Sequence, residues 1–420
     1  MSRKHVVIIG AGFGGLYAAK ELADKNVDVT LVDKRNFHLF QPLLYQVATG
    51  GLSPADISSP IRSIFNKKDN IRVIWGKMES LNNKEKYVIV SGKQISYDIL
   101  VLATGAHHHY FGNDSWSEIA PGLKSVEDAL KIRQKIMRAF EEAEYETDQQ
   151  KRCEWQRFVI VGGGPTGVEL AGALAELANQ TLLGDFRKID PKETEIFLVE
   201  GLSRILTTFP ESLASKAEKS LKKLGVTVKT GSMVTSIDGS NIKIKTNETT
   251  ETINARTVLW AAGVQASDIS KMVVEKTSAE TDKAGKIIVN HDLTIPGYKD
   301  IFVIGDLAHF KLKDGSVLPG VAQVAMQQGR FVAHEILGKN NPAKPFHYLN
   351  KGNLAVIGRK SAVADIRKLR LSGWPAWFIW IFIHIAYLIE YDNKMKVMLE
   401  WAWNFFTRKR GARLITNIGE

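Results

Sequence analysis

Short, wholly apolar runs alternate with stretches of helical spacing from the start of the chain. Residues 6–9 are such a run, residues 27–32 form a second segment rich in β-branched side chains, and residues 16–22 between them have the spacing of a helix. A run that is apolar at every position is typical of a parallel strand buried on both faces. The pattern therefore predicts a βαβ unit at the amino terminus.

Three glycines stand at the turn of this βαβ unit. Gly10, Gly12 and Gly15 form G-x-G-x-x-G directly after the first predicted strand, and Asp33 ends the second. The first glycine permits a tight turn, the second lets backbone approach a pyrophosphate, and the third lets helix and strand pack closely. The free N–H groups of the helix start favour that pyrophosphate. The arrangement predicts a dinucleotide site with Asp33 on the ribose; the alternative is a plain βαβ core unit.

The same plan recurs from residue 158. Gly162, Gly164 and Gly167 repeat the glycine spacing after a second apolar run, and Glu200 ends the next predicted strand. Each copy continues with a hairpin and an apolar strand that runs into a small-residue turn, which lets backbone lie against a cofactor. These turns contain Thr104 and Gly105 in the first copy and Ala262 and Gly263 in the second. We interpret the two copies as an internal duplication.

The two carboxylates have different expected partners. Because a carboxylate in the position of Glu200 bonds a ribose 2′-OH and repels a 2′-phosphate, the second copy should prefer NADH to NADPH.

A later apolar strand over residues 300–304 enters the Gly305-Asp306 turn, where the chain returns to complete the first domain. A helix is predicted to follow as far as residue 337, and the glutamines near its start favour a ligand over simple helix capping.

The composition of the chain changes after residue 373. Residues 374–389 and 395–406 are apolar and aromatic, and Arg408, Lys409, Arg410 and Arg413 follow. The first stretch is shorter than the roughly 20 residues that cross a bilayer. Aromatic rings beside cations suit an anionic membrane interface. The alternative is a buried helix at a dimer interface.

The length and composition of the whole chain limit the number of domains, the partners and the redox chemistry that the protein can have. A chain of 420 residues suggests two or three domains. The net charge is +11, with eleven Lys and Arg against five Asp and Glu in residues 358–420. So many aliphatic residues there make nucleic acid a poor partner. The single Cys153 excludes an intrachain disulfide and a Cys-x-x-Cys redox pair. No metal-ligand spacing occurs.

The chain resembles the flavoprotein superfamily with two dinucleotide-binding domains. The resemblance lies in both glycine motifs, the Ala-Thr-Gly strand end and the returning Gly305-Asp306. Residues 38–50 and the Ala-Gln-x-Ala-x-Gln run of residues 322–327 are similar to type II NADH:quinone oxidoreductases. The resemblance implies an α/β fold with two Rossmann-like domains, the second inserted in the first, and a C-terminal amphipathic helical membrane-binding region. The expected boundaries are 1–120 and 286–345 for the FAD domain, 121–285 for the NADH domain and 346–420 for the membrane-associating region.

The resemblance also implies site residues. Gln323 and Gln327 would border the flavin and the quinone head, and Glu169 would lie near the nicotinamide and flavin as a proton-relay candidate. The residues expected to bind FAD or NADH are Gly10, Gly12, Phe13, Gly14, Gly15, Asp33, Lys34, Arg35, Pro42, Thr104, Gly105, Gly162, Gly164, Pro165, Thr166, Gly167, Glu200, Ala262, Gly263, Gly305, Asp306, Ala322 and Gln323.

The implied activity is electron transfer from NADH through FAD to ubiquinone or menaquinone, without proton pumping. The protein would be a peripheral membrane protein on the cytoplasmic face of the inner (plasma) membrane, with a homodimer as a further expectation. Two alternatives use the same domains: a soluble FAD-dependent NAD(P)H reductase for a protein electron carrier, and a nucleotide-dependent redox sensor.

Overall fold

The computed structural model describes residues 3–340, 345–367 and 369–416. Their contacts divide the chain into two compact units. The first unit contains Met1–Leu39, Ser58–His107 and Val264–Asn350, and the second contains Phe40–Ile57, His108–Gly263 and Lys351–Glu420. The chain thus leaves the first unit three times and returns to it twice.

The first unit is built on a six-stranded sheet that is parallel except at one edge. In order across the sheet, its strands are Thr294–Ile295, Tyr298–Val303, Ile99–Leu102, Lys4–Ile9, Val27–Asp33 and Ile71–Trp75. Side chains of the strand Lys4–Ile9 are fully buried from Val6 to Ile8, as their continuous apolar run predicts.

Helices cover one face of this sheet, and a smaller sheet covers the other. The helices Phe13–Leu22 and Ala322–Ile336 pack against each other. On the other face, the buried side chains of the main sheet join those of a three-stranded antiparallel sheet and the helix Ile269–Thr277 in one cluster. The smaller sheet consists of Met78–Asn82, Tyr87–Val90 and Lys93–Ser96.

The second unit repeats this plan. Four parallel strands lie in the order Val226–Lys229, Glu195–Val199, Arg157–Val161 and Thr257–Trp260, which matches the order of the corresponding strands in the first unit. A three-stranded antiparallel sheet again follows, formed by Ser232–Asp238, Asn241–Thr246 and Thr249–Asn254. The predicted internal duplication is therefore confirmed.

The remaining elements are shorter or cover the sheets. The helices of the second unit's first part are Leu44–Ala48, Trp116–Ile119, Val126–Tyr145, Gln149–Trp155, Pro165–Glu176 and Glu211–Lys223, with a π turn at Leu177–Thr181. The first unit also has the helix Ile61–Ile64 and the short strands Phe37–Leu39, Ser58–Pro60, Ile287–Ile288 and Ala308–His309, and the strands Ala106–His108 and Val264–Ala266 lie where the chain passes between units. Single 3₁₀ turns occupy Gln41–Leu43, Pro54–Ile57, Pro191–Glu193 and Gly305–Leu307.

The C-terminal part of the second unit begins with an antiparallel sheet and ends with two helices. The strands are Asn353–Gly358, Ser361–Ile366 and Leu369–Gly373. The helices are Trp374–Tyr387 and Tyr391–Thr407. Within the described ranges, no helix is both long enough and apolar enough to cross a membrane.

Some elements are divided in the structure or were not predicted from the sequence. Residues 124–150 do not form one helix, because the first helix ends at Tyr145 and the side chain of Asp148 accepts a hydrogen bond from the backbone of Lys151 and so begins a second. The apolar strand before the Thr104-Gly105 turn is Ile99–Leu102, and the preceding strand Lys93–Ser96 pairs separately in the hairpin sheet. The helices Glu211–Lys223 and Ile269–Thr277 were not predicted. Each presents a narrow apolar stripe among charged residues.

The backbone of the strand Asn353–Gly358 lies directly on the helix Pro165–Glu176, at Gly172. A Cβ atom added to Gly172 would lie 1.7 Å from the carbonyl oxygen of Ile357. Only glycine permits this approach, because the oxygen that a Cβ would meet belongs to the backbone of a strand and cannot turn aside as a side chain can.

We expect Gly172→Ala to force the strand and helix apart and to lower the free energy of unfolding by at least about 2 kcal/mol. Thermal unfolding should show a clear fall in melting temperature. Gly201→Ala is the matched control, because an added Cβ there meets no atom within 4 Å. Equal melting temperatures for the two variants would contradict the close approach.

Candidate active site

The first glycine turn has the geometry of a phosphate cradle. Gly10 has a φ of +103°, and a Cβ at Gly15 would lie 1.8 Å from the carbonyl oxygen of Gly10. Gly12 precedes the helix Phe13–Leu22 as its N-cap, and the space beside it is open for at least 4 Å. Open space beside the N-terminus of a helix suits an anionic group such as a pyrophosphate.

Asp33 closes this turn from the neighbouring strand. Its carboxylate accepts hydrogen bonds from the backbone N–H of Ala11 at 2.6 Å and of Arg35 at 2.7 Å. Burial raises the pKa of Asp33 above its ordinary value, although both N–H donors and the charges of Lys34 and Arg35 oppose the rise. The carboxylate therefore stands at the strand end, fixed by backbone, where a ribose hydroxyl could reach it.

Most of the other predicted FAD residues lie at the same edge of the sheet. Thr104 and Gly105 follow the strand Ile99–Leu102, and Gly305 and Asp306 follow Tyr298–Val303. These strands run parallel to Lys4–Ile9, so their carboxyl ends meet at one edge. Phe13 and Gly14 form the first turn of the helix, and Lys34 follows Asp33, its carbonyl accepting the indole N–H of Trp75 at 2.9 Å.

The glutamines after the Asp306 turn have different surroundings. Ala322 and Gln323 are the first two residues of the helix Ala322–Ile336. The side chain of Gln327 bonds the backbone of Leu349 twice, donating to its carbonyl at 3.0 Å and accepting from its N–H at 2.9 Å. Gln328, which the sequence did not single out, accepts a hydrogen bond from the N–H of Gly305 at 2.7 Å and so fixes that turn.

His38 has a role beside the first turn that was not predicted from the sequence. His38 is 1% exposed, and its Nδ1 lies 2.8 Å from the carbonyl oxygen of Ala11. Burial lowers its pKa to about 4, so the ring is neutral and Nδ1 must carry the donated hydrogen. The ring thereby supports the loop between the first two glycines.

The second glycine turn repeats the backbone geometry and the carboxylate hydrogen bonds of the first. Gly162 has a φ of +108°, a Cβ at Gly167 would lie 1.8 Å from the oxygen of Gly162, and Gly164 is open for 4 Å. Glu200 accepts hydrogen bonds from the N–H groups of Gly163 at 2.6 Å and Leu202 at 2.8 Å. Pro165 and Thr166 begin the helix. The second unit thus contains its own dinucleotide cradle.

The remaining predicted residues of the second unit are separated from that turn in the chain. Ala262 follows the strand Thr257–Trp260, and Gly263 has a φ of +68° and closely contacts Phe111. Pro42 lies in the 3₁₀ turn Gln41–Leu43. Of the three residues expected to be catalytic, Glu169 belongs to the second unit, whereas Gln323 and Gln327 belong to the first.

A cavity of about 400 Å³ lies within the second unit, and Glu169 opens onto it. Its walls come from the helices Leu44–Ala48 and Pro165–Glu176, the strand Asn353–Gly358 and both C-terminal helices. Aromatic and aliphatic side chains line most of it. Among the described side chains at its wall, the indole N–H of Trp380, the Nε of Arg359 and the amide oxygen of Asn404 are buried without a hydrogen-bond partner.

Glu169 and Glu176 lie on one face of the same helix but differ in their partners. Burial raises the pKa of Glu169 to about 8, although a backbone hydrogen bond from Val356 opposes the rise. Glu176 accepts the backbone N–H of Arg359 and lies 3.5 Å from the guanidinium of Arg410. Glu169 is therefore mainly protonated at neutral pH, whereas Glu176 has a cation beside it.

Arg410 connects the end of the chain to the cavity wall. Besides Glu176, its guanidinium donates to the carbonyl oxygens of Thr49 at 3.2 Å and Ala173 at 3.1 Å. From the sequence, this residue was predicted only to belong to a lipid-facing basic cluster. That assignment is wrong for Arg410, whose side chain is 12% exposed. No local pattern could reveal a pairing between residues so distant in sequence.

Comparison with known proteins identifies the family. The profile of the pyridine nucleotide-disulphide oxidoreductases matches residues 4–329, and that of the NDH2 C-terminal domain matches residues 350–410. A type II NADH:quinone oxidoreductase of Mycobacterium tuberculosis, NdhA, is 43% identical over 99% of this chain and 90% of its own length. The chain belongs to the type II NADH:quinone oxidoreductase family.

Another curated relative and a solved structure also match this chain over nearly its whole length. The type II NADH:quinone oxidoreductase of Staphylococcus haemolyticus is 31% identical over 90% of this chain and 93% of its own. The structure of NDH2 from Plasmodium falciparum in complex with NADH superposes with a TM-score of 0.89 over 99% of this chain and 100% of that chain. Its identity is 21%, so it establishes the fold of this family member. The resemblance seen in the sequence is confirmed.

Proposed function

We propose that this chain oxidises NADH and delivers the two electrons, through one bound FAD, to a membrane quinone without moving protons across the membrane. The observation that carries the proposal is the presence of two dinucleotide cradles, each closed by its own carboxylate, in a member of this family. When bound, FAD supplies the redox chemistry, taking a hydride from NADH and giving two electrons to the quinone.

The two cradles divide the nucleotides between them. We assign FAD to the first turn, with Asp33 on its ribose and Gln323 beside its flavin, and NADH to the second turn. Both oxygens of Glu200 are already held by backbone N–H groups, which fixes the carboxylate at the strand end. A fixed negative charge in this position bonds a ribose 2′-OH and repels a 2′-phosphate. We therefore propose a preference for NADH.

The cavity of the second unit is the proposed quinone site. Its apolar walls suit a quinone ring, and the unpaired indole N–H of Trp380 can donate a hydrogen bond to a quinone oxygen. Reduction of a quinone to the quinol takes two electrons and two protons, and a hydride brings only one of those protons. Glu169, protonated at neutral pH and opening onto the cavity, can supply the other.

The C-terminal helices are the proposed membrane-binding surface. Along Trp374–Tyr387, every fourth side chain from Trp374 is exposed, with Phe382 at 75%. Along Tyr391–Thr407 a similar stripe ends at Trp403, and Leu399 is 66% exposed. Exposed stripes at a spacing of four residues lie on one face of each helix. We propose that these faces enter the interface of an anionic membrane, with Arg408 and Lys409 against headgroups.

We expect the triple variant Phe382→Ser, Leu399→Ser, Phe406→Ser to bind vesicles of anionic phospholipid more than about 100-fold more weakly, because each ring or Leu contributes about 1.5 kcal/mol when buried. NADH oxidation with ferricyanide should stay unchanged. Co-sedimentation with the vesicles measures binding. Tyr145→Ser, at an 84% exposed side chain on another helix, is the control. Undiminished vesicle binding by the triple variant would shift the proposal to a dimer interface, which sedimentation velocity would reveal.

The activity itself is tested with purified full-length protein. We expect bound FAD, seen as a flavin absorption spectrum and as FAD released on denaturation, and sustained NADH oxidation by a short-chain quinone. The kcat/KM for NADH should exceed that for NADPH, and Glu200→Gln should narrow the difference. A colourless protein, or a yellow one that oxidises NADH but is inert to quinone, would contradict the proposed function.

A further inference from the structure

A chain of hydrogen bonds joins the second C-terminal helix to a phenol at the cavity wall. The indole Nε1 of Trp401 lies 2.7 Å from Oε1 of Gln46. The amide Nε2 of Gln46 lies 2.9 Å from the hydroxyl oxygen of Tyr45. All three residues line the cavity, and Tyr45 is 6% exposed.

The chemistry of these groups fixes the direction of every bond in the chain. An indole N–H can only donate, so the amide oxygen of Gln46 must face Trp401. The amide NH₂ must then face Tyr45, and the phenol oxygen must accept its hydrogen bond. The phenol's own hydrogen is consequently left to donate elsewhere. Were Trp401 replaced by a group without a donor, the amide could turn over and the phenol could donate to it instead.

We propose that Tyr45 donates its hydroxyl hydrogen into the cavity, to the oxygen of a bound quinone, and that Gln46 and Trp401 are positioning residues that set this direction. The inference rests on the proposed quinone site. It adds a donor beside the protonated Glu169, and it makes the donor's direction depend on a residue of the membrane-facing helix Tyr391–Thr407.

The surroundings keep the phenol in its donating form. Burial raises the pKa of Tyr45 well above its ordinary value, and the nearby Glu169 and Glu176 raise it further, whereas Gln46 and Arg410 oppose the rise. The helix Val126–Tyr145 packs on the helix Leu44–Ala48, which contains Tyr45, and carries one buried cation, Arg133. A phenol that stays protonated over the whole working range of pH is a permanent hydrogen-bond donor.

Gln46→Glu tests the direction directly, in the full-length protein with bound FAD. A carboxylate at this position accepts from both Trp401 and Tyr45, which turns the phenol hydrogen away from the cavity. Stopped-flow kinetics separate flavin reduction by NADH from flavin oxidation by a short-chain quinone. We expect normal flavin reduction and an oxidation rate that is lowered about two- to tenfold, as in Tyr45→Phe, through loss of one hydrogen bond.

The pH dependence of the oxidation rate distinguishes a reversed hydrogen bond of Tyr45 from a general disturbance of the cavity by the substitution. On acidification the new carboxyl protonates and can donate to Tyr45 again, so the rate relative to wild type should recover in Gln46→Glu but stay flat in Tyr45→Phe. Expressing each rate relative to wild type removes the pH dependence that the variants share with wild type, and Tyr45→Phe, which lacks the phenol, is the reference for the remainder. Trp401→Phe should lower the same rate without recovery. Gln41→Glu, an exposed change in the same segment, should leave both half-reactions unchanged.

Raman difference spectra against Tyr45→Phe provide a readout that needs no quinone, because the tyrosine doublet reports whether the phenol accepts or donates. Wild type should show an accepting phenol and Gln46→Glu a donating one. If wild type proved inert to quinone, the proposed function would fail while this spectrum still tested the direction. An unchanged doublet, or an oxidation rate in Gln46→Glu that equals wild type or is lowered equally at every pH, would overturn the inference.

Discussion

The cavity depends on a single helix–strand contact in the second unit. Three residues of the helix Pro165–Glu176 touch the backbone of the strand Asn353–Gly358 or the residue that follows it. Glu169 accepts from Val356, Gly172 meets the carbonyl of Ile357, and Glu176 accepts from Arg359. Spacings of three and four residues place all three on one face of the helix. A single stripe therefore joins the second dinucleotide unit to the C-terminal sheet and forms one wall of the cavity.

The same contact gives two carboxyl groups opposite properties. Each receives one backbone hydrogen bond from the strand, and each is enclosed by protein. Only Glu176 also has the guanidinium of Arg410 beside it, so an ionised form there is compensated. Glu169 has no such cation among its identified partners, and burial makes its protonated form the stable one at neutral pH. A structural ion pair and a carboxyl group that keeps its proton at neutral pH thus lie two helical turns apart.

The sequence predicted what depends on local geometry. Gly10, Gly15, Gly162 and Gly167 had to be glycine at turns where no Cβ fits, and the acids stand at the ends of the neighbouring strands, where the sequence placed them. Their hydrogen bonds to the backbone of the turns were not predicted. The second unit repeats the strand order of the first, as a duplication requires. The sequence could not predict how side chains pair across long separations, such as Trp401 with Gln46 or Arg410 with Glu176. These pairings exist only because the C-terminal helices pack on the second unit.

The pH dependence of flavin oxidation by quinone tests most directly whether Glu169 supplies the proton. Its pKa is raised from 4.5 to about 8, so the carboxyl holds its proton below that pH and loses it as the pH rises through it. Stopped-flow measurements on wild type should therefore show the rate falling as the pH passes about 8, with flavin reduction by NADH little affected. In Glu169→Gln the rate should be lower and should not change across this range. Parallel pH profiles for the two proteins would contradict the account.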